Sequence, residues 1–139
     1  MTKRMFAAAL VLALVAGCAM TGNAPPAGIR VALTGSEEVP AVKTSATGSG
    51  IVTVNADGTV SVNITTTGMA ATAAHIHMAP AGQNGPVVVP FSKNGDAWVA
   101  APGAKLNDAQ MAAYRAGNLY VNVHSAANPG GEIRAQIRP

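Results

Sequence analysis

The chain carries three histidines. His75 and His77 stand one residue apart in the stretch AHIHM, and His124 closes the stretch LYVNVH. Residues two apart on a strand share a face, so the first two imidazoles project to one side, and His124 on a neighbouring strand would complete a set of three. Three neutral imidazoles with an open fourth position suit zinc or copper. His75, His77 and His124 are therefore the candidate metal ligands, with copper or zinc as the ion. Because imidazole must be neutral to ligate, such a site would lose affinity as pH drops through roughly 6.5. A second use of the same rings needs no metal: each would hydrogen-bond a backbone carbonyl of the Gly/Pro loops and brace them. The two uses make different geometric demands. A metal site needs the three nitrogens to converge to about 3–4 Å, and a brace needs each ring to face a carbonyl.

Other groups with chemical potential are weaker candidates. Met78 lies on the opposite strand face from His75 and His77 and reads as core, while Met69, in a loop-like stretch, is an outside candidate for a soft ligand. Glu132 and Arg134 share a strand face and could brace one another or a histidine, but read first as an exposed charge pair of little energetic weight. Glu37-Glu38, beside Val39-Pro40, read as an exposed turn. There is no G-x-S-x-G elbow, no phosphate-binding glycine loop before a helix and no cysteine beyond Cys18, so no catalytic residue is assigned and the chain reads as a non-enzyme.

The elements that must position the histidines are mostly strands. IRVAL, GIVTVNA, TVSVNIT, AAHIHM, PVVVPF, AWVAA, LYVNVHS and GEIRAQI are short, rich in β-branched residues and separated by Gly, Pro, Asn and Asp, the pattern of an all-β antiparallel sandwich or barrel, Greek-key-like in its connections. A three-residue loop Ala56-Asp57-Gly58 pairs Val54 with Val60 and Val52 with Val62, whereas a two-residue loop would oppose Val54 to Ser61. The three-residue loop keeps the valines on one face and puts Gly58 in the left-handed position. One short helix is expected in KLNDAQMAAYRAG, with a capping box from Asn107 to Gln110, a staple between Leu106 and Met111, and Gly117 as its stop. Alternation puts Leu119, Val121 and Val123 on one face of their strand and Tyr120, Asn122 and His124 on the other. Ala79 to Pro86 forms a loop directly after the histidine pair, and Asn128-Pro129-Gly130-Gly131 a turn that pairs the His124 strand with GEIRAQI.

The N-terminus places this domain. In MTKRMFAAALVLALVAGC, Lys3 and Arg4 precede an apolar run, Met5 to Val15, too short to span a bilayer and ending in small residues, which reads as a secretory signal over residues 1–17. Val15-Ala16-Gly17-Cys18 resembles the bacterial lipobox, which implies cleavage before Cys18 and attachment of lipid (diacyl and palmitate chains) to it, enough for stable anchoring. The expected location is the bacterial cell envelope, facing the periplasm or the cell surface. Residues 18–28 read as a flexible tether and 29–139 as one domain. Without Lys3 and Arg4, seven basic residues face six acidic ones and the formal charge falls from +3 to +1. No basic stripe remains for nucleic acid.

Three blocks, LTGSEEVPAVKTSATGSG from Leu33, AHIHMAPAGQNGPVV from Ala74 and GNLYVNVHSAANPGGEIRAQI from Gly117, resemble the signature blocks of the CHRD domain, first described in chordin. EVPAV departs from the pattern, which often has a second proline there. The resemblance implies an all-β module of secreted proteins and lipoproteins with no settled enzymatic activity. A weaker similarity, the H-x-H strand and glycine-rich loop, points to copper–zinc superoxide dismutases, whose two-metal site cannot be built from three histidines. The functional expectation is a membrane-anchored, non-enzymatic CHRD lipoprotein that binds copper or zinc. The alternative is a protein- or envelope-interaction module whose histidines only brace loops, with an exposed apolar patch sought in PVVVPF.

Overall fold

The computed structural model describes residues 27–139. The expected signal segment 1–17, the lipidation at Cys18 and all but the end of the tether lie outside the described residues. Eight strands follow in order: β1 Ile29–Thr34, β2 Thr47–Val54, β3 Val60–Thr67, β4 Ala71–Met78, β5 Val87–Asn94, β6 Ala97–Ala100, β7 Leu119–Ser125 and β8 Ile133–Ile137, with helix α1, Asp108–Arg115, between β6 and β7. They close into an antiparallel barrel ordered β1-β2-β3-β6-β5-β4-β7-β8. Strands β4, β5 and β6 are consecutive neighbours, and β7 returns past them to lie beside β4, which is the Greek-key connection. Closure leaves no strand of the sheet with a wholly free edge, although the seams between β1 and β8 and between β3 and β6 are short.

Local chemistry accounts for these elements. Val54 pairs with Val60 and Val52 with Val62, the register that the three-residue loop dictates, and Gly58 takes the left-handed conformation at φ +86°. Helix α1 starts at the capping box: Asn107 accepts from the Gln110 backbone while the Gln110 side chain accepts from the Asn107 backbone. Leu106 and Met111 are buried beside it, as the staple requires, and such a cap stabilises a short helix by about 1 kcal/mol.

The barrel interior is aliphatic. Leu33, Val52, Ile64, Ile76, Leu119, Val121, Val123, Ile133 and Ile137 are all fully buried, each stabilising the fold by about 1.5–3 kcal/mol. Met69 and Met78 pack against this cluster, Met78 as expected and Met69 as core rather than a ligand candidate. Outside the wall made by β4, β7 and β8 lies a second buried layer, and it is polar. Tyr120, Asn122, His124 and Arg134 are 2–9% exposed, because the loops 35–46, 79–86 and 126–131 fold over them and hydrogen-bond to this layer and to Glu132.

Candidate metal centre

Cross-strand register builds the site. Strands β4 and β7 pair His75 with Asn122, His77 with Tyr120 and Ala73 with His124, so all three imidazoles emerge on the outer face of adjacent strands. A bulge between Ile76 and His77 shifts the pairing with β5, yet Ile76 stays fully buried inside the barrel. The histidine rings meet edge to face, with centroids 5.5 Å apart for His75 and His77 and 4.9 Å for His75 and His124.

Each ring offers one nitrogen to a group whose members all lie within 4.8 Å of one another. His75 Nδ1 and His124 Nε2 are 3.0 Å apart. Ligands about 2.0–2.1 Å from a tetrahedral ion stand roughly 3–4 Å from each other, so the widest pair has to close by about 1 Å and the closest already matches.

Backbone carbonyls fix which nitrogens point inward. His77 Nδ1 is 2.9 Å from the carbonyl oxygen of Gly85, and His124 Nδ1 is 2.9 Å from that of Pro129. A carbonyl only accepts, so both Nδ1 atoms carry the hydrogen and both neutral rings present the lone pair at Nε2. His77 Nε2 is buried and has no hydrogen-bond partner. His124 Nε2 meets its partner at His75 Nδ1, which in the neutral cluster must be the donor; an ion would take that proton's place once His75 moves its hydrogen to the other nitrogen. The bracing bonds and a ligand role are thus compatible: hydrogen bonds from Nδ1 to the loops leave the Nε2 lone pairs of His77 and His124 available, as in metal sites whose outer partners fix the histidine tautomer.

Electrostatics keeps the donors available. Burial, and then the neighbouring rings of His124 and His77, hold His75 below the ordinary imidazole range. His77 is lowered chiefly by burial, more than its bond to Gly85 and the nearby Asn122 amide restore; that amide stands close enough to favour the charged ring but makes no hydrogen bond of ordinary geometry with Nε2. Neutral imidazole is the ligating form.

Two expectations about charge are corrected. Glu132 and Arg134 are not an exposed pair: they are 7% and 2% exposed. Glu132 accepts from Ser125 Oγ and from Thr44 Oγ1, which lower its pKa. Arg134 turns to the loop after β4. Glu37 is exposed as expected, but Glu38 is 6% exposed, because the short 3-10 turn Gly35–Glu37 carries it into the polar layer. Sequence reasoning also missed Tyr120, whose ring stacks on His77 at 4.9 Å with an interplanar angle of 8°. The signal was present in LYVNVH: a tyrosine in phase with the histidine belongs to the same face.

A family model for the CHRD domain matches residues 29–137. No curated protein and no solved structure matches the chain.

Proposed function

The chain belongs to the CHRD domain family, and from that premise we propose that it is a non-enzymatic lipoprotein of the bacterial envelope that binds one copper or zinc ion through His75, His77 and His124. The single observation that carries this reading is the Nε2 of His77, a buried lone pair with no partner, on a ring that belongs to a group of three imidazoles each offering one nitrogen within 4.8 Å of the others. An unpartnered buried acceptor costs about 1–3 kcal/mol, and an ion at the centre of the cluster satisfies it. Cys18 carries the lipid that holds the domain at the membrane, facing the periplasm or the cell surface.

The competing reading, an interaction module with bracing histidines, draws on Val87, 48% exposed on the strand that pairs with His77. It leaves the orphaned His77 Nε2 without a purpose, and a single exposed valine is ordinary on a protein surface.

Calorimetric titration with Cu(II), Cu(I) and Zn(II) separates the two, with a His75→Ala/His77→Ala variant shown to be folded by circular dichroism as control. Stoichiometric binding by the protein and none by the variant is expected. No binding by the folded protein sinks the metal reading.

A further inference from the structure

His77 is oriented by the carbonyl of Gly85, and that carbonyl is held by groups remote from the imidazole. Arg134 on β8 is 2% exposed. One arm of its guanidinium donates to Asn84 Oδ1 at 3.0 Å and the other to the Gln83 carbonyl at 2.7 Å. Asn84 in turn donates to the carbonyl of Val39 at 2.7 Å, tying the loop after β4 to the segment after β1. The guanidinium carbon stands 3.4 Å from the centroid of the Tyr120 ring, and the Tyr120 hydroxyl accepts from the Gly85 backbone N–H at 3.2 Å. Gly85 is therefore gripped through its own N–H and through the two residues that precede it. A side chain there is excluded, because a Cβ would collide with the Met78 carbonyl.

Burying a guanidinium is costly, and although Glu38 attracts it from the same layer, its hydrogen bonds go to uncharged acceptors on the segment that anchors His77 while its face meets the ring stacked against that histidine. We infer that Arg134, acting through Asn84, Gln83 and Tyr120, is the positioning residue that locks His77 in one tautomer with Nε2 turned into the histidine cluster. The planar fork is the part that matters: it holds two acceptors at fixed spacing while its carbon sits over a phenol ring, which a lysine ammonium cannot do. His124 takes its anchor from Pro129 on a different loop and is independent of this grip. The consequence for metal affinity rests on the proposed metal-binding function; the orientation of His77 does not.

The test reads both, separately. Asn84→Ala, Tyr120→Phe and Arg134→Lys are compared with the unaltered protein, folding being checked by circular dichroism. Long-range proton–nitrogen correlation spectra of the imidazoles are recorded without metal at pH 7.5, followed by Zn(II) titration. In the unaltered protein His77 shows two well-separated nitrogen resonances, those of a single Nδ1–H tautomer. In Asn84→Ala and Arg134→Lys they are expected to move together towards an averaged position, with a smaller movement in Tyr120→Phe, while those of His124 stay in place. Zinc affinity falls about tenfold in step with the His77 shift. Asn84 is exposed, so its variant carries the test even where Arg134→Lys fails to fold. A folded Asn84→Ala protein that keeps the His77 resonances unchanged overturns the inference. If the resonances move but the unaltered protein binds no zinc, the positioning role stands and the metal-binding function falls.

Discussion

Leu119, Val121 and Val123 on the inner face of β7 are 0% exposed, and Tyr120, Asn122 and His124 on its outer face are 2%, 3% and 9% exposed. The two faces are buried to almost the same degree by different physics. The inner residues meet other aliphatic side chains of a closed barrel, where shape and area suffice. The outer residues lie under three loops, where each polar atom needs a named partner. The inner face thus carries stability, and the outer face carries chemistry.

The largest test of that division is Leu119→Ala. Truncating a fully buried leucine costs about 2–5 kcal/mol, read as a lowered urea midpoint, while the folded fraction keeps its metal stoichiometry. Loss of metal binding from a protein still folded would show that the inner face also sets the site.

The reverse experiment removes ligands. His77→Ala and His124→Ala are each expected to abolish metal binding while lowering stability by about 1–3 kcal/mol, the cost of leaving the Gly85 or Pro129 carbonyl without its partner. His75 is the more exposed ring and has no carbonyl anchor; its Nδ1 contact is with His124. In the proposed site it is the ring that completes a pair already anchored. His75→Ala should retain at least about tenfold more zinc affinity than the other two variants, a gap of about 1.4 kcal/mol, measured by titration. Equal loss in all three would mean that the anchors give no advantage.

A backbone change is expected to have a smaller effect. Gly85→Ala puts a methyl against the Met78 carbonyl, so the loop must move and take the Gly85 carbonyl away from His77. The expected outcome is several-fold weaker zinc binding with a smaller change in the barrel's unfolding midpoint, since no residue of this loop belongs to the hydrophobic core cluster. A collapse of stability would instead make the loop part of the core.

How legible this was in the sequence follows from the same division. The inner layer was readable because period-two alternation of Val, Ile and Leu reports burial directly, and the Ala56–Gly58 loop even set its register. The facing of the histidines was readable because all three rings fall on the outer phase of strands β4 and β7, but the pairing of those two strands, which brings His124 to the other two, was not. Also beyond reach were contacts made by loops. Arg134 meets Asn84 across fifty positions, and Glu132 meets Thr44 across eighty-eight. Charged residues on an outward phase read as solvated unless something folds over them, and nothing local in Glu38, Glu132 or Arg134 says that it does.

Those two buried carboxyl groups give the finest test, because they share the polar layer but not its partners. Glu132 is held below its ordinary value of 4.5 by the hydroxyls of Ser125 and Thr44. Glu38 is raised above 4.5 by burial, which outweighs the attraction of Arg134, and its Oε1 has no hydrogen-bond partner. The signs oppose each other. A lowered group adds stability that is present above the unfolded pKa and is lost as pH falls through the folded one. A raised group adds stability that is full below the unfolded pKa and is lost as pH rises through the folded one. Glu132→Gln is therefore expected to be most costly at neutral pH and to approach the unaltered protein in acid. Glu38→Gln, which removes a charge the layer does not solvate, should match the unaltered protein below pH 4.5 and gain on it as pH rises. Urea unfolding at intervals from about pH 2 to 8 reads both slopes, that of Glu132 below its unfolded value and that of Glu38 above it. The same slope in both variants would mean that hydroxyl partners do not decide which charge this layer accepts.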